Sequence, residues 1–240
     1  MSVVPYKDKE SSKREQVEEM FDNISPKYDL LNHLLSGGVD LYWRKKAISL
    51  LKKRPNRVIL DVATGTGDFA LEALKLNPEK IIGVDISEGM LRVGEEKIRK
   101  GGHQDIISFR KAASESLPFE DNYFDAVIVS FGVRNFDNLE KGLSEMHRVM
   151  KPAGTCIVME FSKPKAFPFK QLYYFYFKRI LPLIGRLISK DTSAYTYLPD
   201  SVQAFPDGND FLAILGRSGF TQTKCIQLTF GICSIYIGHK

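Results

Sequence analysis

Cysteine is scarce in this 240-residue chain. There are three, Cys156, Cys225 and Cys233, and none forms a C-x-x-C pair. An odd number without that spacing argues against a disulfide framework or a zinc site and for reduced thiols in a cytoplasmic compartment. Long apolar runs are missing as well. The most apolar region, Leu172 to Ile188, is broken by Lys178, Arg179, Pro182 and Arg186, so it cannot span a bilayer. Contact with a membrane surface, at the inner face of the cell membrane, stays open. Met1 to Glu19 is polar and charged; it lacks the apolar core of a signal peptide, and its acids argue against a transit peptide. Charge of one sign is not dominant either. The net charge of +5 gives a nucleic-acid partner no strong support. There is no internal repeat and no low-complexity tract.

What is present is an ordinary globular composition, 43% apolar and 26% charged, in a chain long enough for a full core. One domain is expected, in four stretches: a helical cap over 1–54, a ligand-binding core over 55–163, an insertion over 164–208, and a closing helix with a hairpin over 209–240. Helical periodicity runs from Ser12 to Leu51, with Val17, Met20, Phe21 and Ile24, then Tyr28, Leu31, Leu34 and Leu35 on one face. Ser25-Pro26 reads as an N-cap followed by proline at the first helical position, and Gly37-Gly38 as a break before a helix from Asp40 to Leu51. Pro55-Asn56 marks a boundary.

Beyond it, short apolar strands alternate with helices. The strands are Arg57–Val62, Lys80–Asp85, Ile106–Lys111, Phe124–Phe131 and Gly154–Phe161; the helices are Asp68–Leu76, Ser87–Lys100 and Asn138–Met150. This alternation predicts a parallel sheet covered on both faces, with its ligand loops along the carboxyl edge. The stretch from Lys163 to Pro206 is rich in aromatics and proline and reads as an insertion with one helix over Phe169 to Leu181. Thr221–Thr229 and Ile232–His239, separated by Phe230-Gly231, predict an antiparallel hairpin. The expected fold is a doubly wound, mostly parallel seven-stranded sheet closed by an antiparallel strand.

The most informative run is Ile59-Leu60-Asp61-Val62-Ala63-Thr64-Gly65-Thr66-Gly67-Asp68. An apolar strand ends in a carboxylate, and a glycine turn leads into a helix. Gly65 and Gly67 let the backbone turn tightly beside a ligand. With Ala70 they also satisfy the dinucleotide fingerprint, so the glycines alone leave a nicotinamide cofactor open. Asp61 discriminates. It would repel a pyrophosphate and attract the ammonium of a methionine moiety. Asp85, at the end of the next strand, suits the two hydroxyls of a ribose. Together they point to S-adenosylmethionine. Helix capping by Asp61 and Asp68 is the structural alternative. Ala113 and Ser114, after the third strand, fall where an adenine would stack.

Three further stretches carry a likeness to a known family. They are Tyr28-Asp29, Asn32, Ser36, Gly38 and Trp43; then Ser130-Phe131-Gly132-Val133-Arg134-Asn135; then Arg148-Val149-Met150-Lys151-Pro152 leading to Glu160-Phe161-Ser162-Lys163-Pro164. With Tyr195, Tyr197-Leu198, Ser201 and Phe205-Pro206 the likeness spans nearly the whole chain. The sequence resembles the C-methyltransferases of menaquinone and ubiquinone biosynthesis, within the class I S-adenosylmethionine-dependent enzymes. The chain departs from the family pattern at Asp40, Ala113 and Ala153. The resemblance implies a Rossmann-like methyltransferase fold, with Thr66, Asp85, Ala113, Ser114 and Ser130 at the cofactor. It also implies methylation of a ring carbon of a reduced prenylated quinol. A naphthoquinol, demethylmenaquinol, is the favoured acceptor and a benzoquinol the alternative. Other small aromatic acceptors and a non-catalytic scaffold are the rival classes.

Such a ring carbon becomes nucleophilic when a neighbouring hydroxyl ionises, so the site should favour a phenolate. Arg134, after the fourth strand, is the candidate to stabilise it, and Asn135 to orient the hydroxyl or hold Arg134; local loop bonds are the alternative for both. Tyr195 and Tyr197 are candidates for the quinol pocket wall, with plain packing as the alternative. Tyr28 and Asn32 are candidates for a helical lid. Trp43 reads as core, His147 as solvated and His33 is undecided. The aromatic, cation-flanked run Phe167 to Arg179 suits a membrane interface or the mouth of an apolar tunnel, and equally a core helix with a basic edge.

Overall fold

The computed structural model describes residues 3–52, 57–180 and 193–240. The predicted boundary at Pro55-Asn56 and the helix end at Leu181 lie outside them. Seven strands form one sheet: β1 (Val58–Val62), β2 (Lys80–Asp85), β3 (Ile107–Lys111), β4 (Phe124–Ser130), β5 (Met150–Phe161), β6 (Thr221–Leu228) and β7 (Cys233–His239). Their order is β3-β2-β1-β4-β5-β7-β6. The first five pair in parallel, and β7 pairs antiparallel with both β5 and β6. The expected doubly wound architecture is the observed one. β5 starts earlier than predicted, because Met150 pairs with Phe124 before the register shifts and Thr155 pairs with Ala126.

Buried on both faces, the strands read as continuous apolar runs. On one face, Leu60, Val62, Val127 and Val158 pack with Leu143, Met146 and Phe211. These last three come from α6 (Leu139–Val149) and α9 (Asn209–Arg217). On the other, Ile59, Ile81, Ile128 and Ile157 pack with Trp43, Ala47 and Ile48 of α3 (Val39–Ser49) and with Phe69 and Ala73 of α4 (Asp68–Ala73).

A third cluster lies above the carboxyl edge. It joins Val17 and Met20 to Tyr173, Ala194, Tyr197 and Val202. Its elements are α1 (Lys13–Ile24), α7 (Phe169–Phe175, continuing as a π-helical turn to Ile180) and α8 (Ser193–Ala204). α8 is a helix beyond the single one expected over Phe169 to Leu181 in this insertion. Its spacing of Ala194, Tyr197, Leu198 and Val202 is helical, and Pro199 inside it hid the pattern.

The N-terminal cap is laced to the sheet edge by side chains. Ser12 and Glu15 form a reciprocal capping box that starts α1. Lys13 Nζ donates to the Phe136 carbonyl at 2.6 Å, and Lys111 donates to Glu18 at 2.7 Å. Asp22 Oδ1 accepts from the Ser87 hydroxyl at 2.6 Å and from the Gly89 N–H at 2.8 Å. The end of α1 thus caps the start of α5 (Glu88–Gly101). The next helix, α2 (Tyr28–Ser36), follows a short turn at Ser25–Lys27.

Candidate active site

Two cavities meet at the carboxyl edge beneath the cap. The smaller is a crevice of about 70 Å³. Its floor comes from four strand ends: Ala63 and Gly65 after β1, Asp85 and Ile86 after β2, Ala112 and Ser114 after β3, and Ser130 to Gly132 after β4. Its roof is Arg14, Val17, Phe21 and Tyr28 of the cap. This is the point where strand order reverses, the usual ligand position in such sheets.

Of the residues predicted for a cofactor, Gly65, Asp85, Ser114 and Ser130 line this crevice. Gly65 holds φ +56°, which suits glycine, and its N–H donates to Asp85 Oδ2 at 2.8 Å. The Ser87 N–H donates to Asp85 Oδ1 at 2.9 Å. Burial outweighs these bonds and pushes the Asp85 carboxyl up to about 6.

Asp61, Thr66, Gly67 and Ala113 do not line the crevice, and each has a physical reason. Strand alternation puts Asp61 on the same face as Ile59, beneath the turn and wholly buried. Its Oδ2 accepts from the Thr64 hydroxyl at 2.6 Å, the Ala70 N–H in the first turn of α4 also favours its charged form, and its Oδ1 has no partner within hydrogen-bond distance. Burial raises this carboxyl to about 7. Thr66 turns its hydroxyl away, donating to Asp29 of α2 at 2.5 Å and accepting from Lys97 at 3.2 Å. Gly67 packs on the Phe109 ring, where a Cβ would lie 2.6 Å from the ring. Gly83 and Gly94 meet the same ring at 2.6 and 2.5 Å, so these glycines serve close packing. Ala113 is buried behind its neighbours Ala112 and Ser114. Asp68, in the first turn of α4, pairs with Lys97 at 2.7 Å and with Arg44 at 3.7 Å.

The larger cavity, about 420 Å³, lies between the cap, the sheet edge and α7–α8. Phe21, Tyr28 and Phe131 border both cavities and form the partition. The rest of its wall is mostly apolar: Met20, Ile24, Trp43, Phe161, Phe169, Leu172, Tyr173, Leu198 and Ile232. Trp43 is therefore both core and wall, and its indole N–H donates to Thr229 Oγ1 at 2.7 Å. Asn32, Ser36 and Thr229 add uncharged polar groups, and charged groups enter at two places. One is Asp40 and Arg44, a buried ion pair in which Asp40 also accepts from Ser36 at 2.6 Å. The other is Arg134 on the turn Val133–Asn135, paired with Glu160 at 2.7 Å. Tyr197, also on the wall, donates to Asn135 Oδ1 at 3.1 Å. Asn135 itself borders the smaller crevice, so this bond bridges the chambers. Burial pushes the Tyr197 phenol up to about 12 and the Tyr28 phenol above its usual range, so both stay protonated donors at neutral pH. Tyr195 falls within α8, but its side chain, like that of His33, lies outside the described residues. His147 borders neither cavity; it packs edge-on against Phe220 at 5.2 Å.

Paired chambers of this kind, one polar at strand ends and one apolar above it, suit transfer of a small group between two ligands. A model of the ubiE/COQ5 methyltransferase family matches residues 9–240. The chain belongs to that family. A demethylmenaquinone methyltransferase from Bacteroides fragilis is 51% identical over 239 residues, covering 99% of this chain and 97% of the relative. A ubiquinone/menaquinone biosynthesis C-methyltransferase from Geotalea daltonii is 45% identical over 232 residues, with 96% and 98% covered. Among solved structures, a SAM-dependent methyltransferase from Thermotoga maritima superposes with a TM-score of 0.67 at 19% identity. It covers 92% of this chain and 99% of that one. At that identity the superposition speaks for the fold, a methyltransferase sheet.

Several site residues of this family member escaped the sequence reading. Glu160 was legible only as part of a motif, because nothing in a strand sequence shows which strand end faces Arg134. Ala63 (φ +52°) and Phe131 (φ +57°) hold left-handed backbone at the ends of β1 and β4. Non-glycine residues pay for that conformation and cluster at functional sites. Lys13 and Asp22 were invisible because their partners are far away in sequence, and Asp29, like Glu160, was legible only as part of a motif.

Proposed function

We propose that this enzyme transfers a methyl group from S-adenosylmethionine to a ring carbon of a prenylated quinol. Conversion of demethylmenaquinol to menaquinol is the favoured reaction. The observation that carries this reading is the partition: an apolar cavity of ligand size shares Phe21, Tyr28 and Phe131 with the strand-end crevice.

The crevice fits the cofactor in chemistry. Asp85 offers carboxylate oxygens to ribose hydroxyls, Val17, Met90 and Phe136 offer apolar faces to a base, and Ser114 and Ser130 add polar contacts. Gly65 keeps the turn open beside the ligand. The unpartnered Asp61 Oδ1 lies beneath that turn. From there Asp61 attracts the ammonium through the field across the loop rather than by lining the wall. The cap side chains Arg14, Phe21 and Tyr28 roof the crevice and lie over the bound cofactor. Bound S-adenosylmethionine supplies an already activated, electrophilic methyl group.

The chain's own task is to align, activate and keep water out. The quinol ring lies in the larger cavity against Phe131, Phe161 and Trp43. Arg134 stabilises the oxygen of the ionised hydroxyl, and Asn135, held by Tyr197, orients the ring at the partition. Tyr197 bounds the quinol on the α8 side, and we extend that role to Tyr195 on the same helix. The prenyl tail leaves past α7. There Phe167, Leu172, Phe175 and Phe230 are exposed beside the exposed cations Lys165, Lys170 and Arg179. We assign this rim to peripheral contact with an anionic membrane surface, where the substrate resides. Among the described residues no helix is long and apolar enough to cross a membrane.

A single reaction mixture offering both demethylated quinols with the methyl donor tests the choice of ring. Preferential methylation of the naphthoquinol supports the proposal, and preference for the benzoquinol reverses it. Sedimentation with anionic vesicles tests the rim; Leu172→Glu/Phe175→Glu should abolish binding seen for the wild type.

A further inference from the structure

We infer that Glu160 is the positioning residue that fixes Arg134 and sets how strongly its charge acts on the acceptor hydroxyl. This rests on the reading of the larger cavity as the quinol site.

Glu160 is wholly buried at the end of β5 and borders neither cavity. Its Oε1 accepts from Arg134 Nη1 at 2.7 Å and from the Phe161 N–H at 2.8 Å. Its Oε2 accepts, at a longer 3.4 Å, from the Arg134 N–H. One carboxylate therefore holds both the side chain and the backbone of Arg134. Nη1 also donates to the Phe131 carbonyl, and the guanidinium carbon stands 5.6 Å from the Phe161 ring. These contacts leave one placement for the guanidinium. Its Nε is buried with no partner, and the residue borders the cavity.

Lys13 of α1 is a cation beside the pair, its Nζ 3.4 Å from the Arg134 carbonyl and 2.6 Å from that of Phe136, with the Asp137 and Glu115 carboxylates acting on it. The phenols and the thiol around the pair are neutral. Tyr173 and Tyr197 act on both Arg134 and Glu160, and Tyr28 acts on Arg134. Cys233, on β7, acts on Glu160. Burial pushes every one of these phenols and the thiol above its ordinary value. Arg44, the next cation, has its own buried partner in Asp40. The field at the acceptor oxygen is thus set by Arg134 on the wall and Glu160 behind it. An arginine alone would ionise the hydroxyl strongly; the carboxylate behind it tempers that effect while holding the geometry. A carboxylate too far from the acceptor oxygen to act on it would stabilise the fold without moving the ionisation of a bound ligand.

The test uses 1-naphthol, a tail-free phenol whose absorbance and fluorescence report its ionisation, bound to the full chain with S-adenosylhomocysteine. In Glu160→Gln the shape is kept and the negative charge removed. The pKa of bound naphthol should fall by about one unit relative to wild type. In Glu160→Asp the charge retreats by one methylene, so a smaller fall in the same direction is expected. The Asp variant also serves if the Gln variant fails to fold. Turnover on quinol should drop in Glu160→Asp, whose shorter side chain loosens its hold on the guanidinium, while S-adenosylmethionine affinity stays within about twofold in both variants. A naphthol pKa unmoved in a folded variant overturns the inference about Glu160 alone. Failure of naphthol to bind the wild type overturns the cavity assignment beneath it, and the inference with it.

Discussion

The Asp29 carboxylate accepts the Thr66 hydroxyl at 2.5 Å and pairs with Lys97 at 2.6 Å. This cluster fastens α2, which carries Tyr28, to the glycine turn and to α5. The cap is held over the crevice by a few polar contacts and opens by breaking them. Asp29→Ala should speed dissociation of S-adenosylmethionine several-fold and expose the first 50 residues to proteolysis. Stopped-flow displacement and limited digestion check this; an unchanged off-rate would separate the cap from cofactor retention.

Arg134→Ala removes the cation that borders the larger cavity next to Asn135. Turnover should fall by about 10²–10³-fold, the scale for loss of a group that stabilises developing negative charge. Cofactor affinity should change by no more than a few-fold. Near-normal turnover on a quinol would remove Arg134 from the mechanism.

Asp85→Asn keeps the size of the side chain and halves its ability to accept hydrogen bonds. The Gly65 and Ser87 N–H groups would compete with the ribose for the single remaining carbonyl. Cofactor affinity should fall at least tenfold in calorimetry, with little change in turnover at saturation. Unchanged affinity would mean that the ribose lies elsewhere.

Binding should also depend on pH. Burial raises the carboxyls of Asp85 to about 6 and Asp61 to about 7, above the unfolded value of 3.8. The folded chain then holds protons that the unfolded chain has released. The stability these groups contribute is full below the unfolded value and is lost as pH rises through 6–7. A cationic ligand favours the ionised carboxylates. Affinity for S-adenosylmethionine should therefore rise from about pH 5 to about pH 8, with protons released on binding. Calorimetry in two buffers of different ionisation enthalpy measures this; pH-independent affinity would show that neither acid titrates against the ligand.

The Phe109 ring touches three backbone positions that tolerate no side chain, Gly67, Gly83 and Gly94. Gly94→Ala places a Cβ 2.5 Å from the ring. Thermal unfolding should show a loss of about 1–3 kcal/mol, the usual cost of overpacking. A smaller loss would mean that the ring shifts freely.

The sheet was legible because burial on both faces makes its strands plain apolar runs, bounded by glycine and proline. Asp85, Gly65, Ser130 and Arg134 were legible because parallel strands put their carboxyl ends on one edge. Depth was not legible. Asp61 and Thr66 fall at the right strand end but turn away from the crevice, Asp61 by strand alternation toward Thr64 and Thr66 toward Asp29 of the cap, a partner distant in sequence. The cap was visible as amphipathic helices and, at Tyr28-Asp29 and Asn32, as a motif. Its closure depends on Lys13, Asp22 and Asp29, polar residues whose partners lie across the fold. Helix α8 was lost to Pro199, a residue that breaks most helices and is carried here within one packed on α1.

The whole account stands on methyl transfer to carbon in the chamber next to the strand-end crevice. The purified enzyme, given deuterium-methyl S-adenosylmethionine and demethylmenaquinol under reducing conditions, should yield a product whose fragmentation places the label on the quinone ring. Label on oxygen, or unchanged quinol from an enzyme that binds the cofactor, would contradict it.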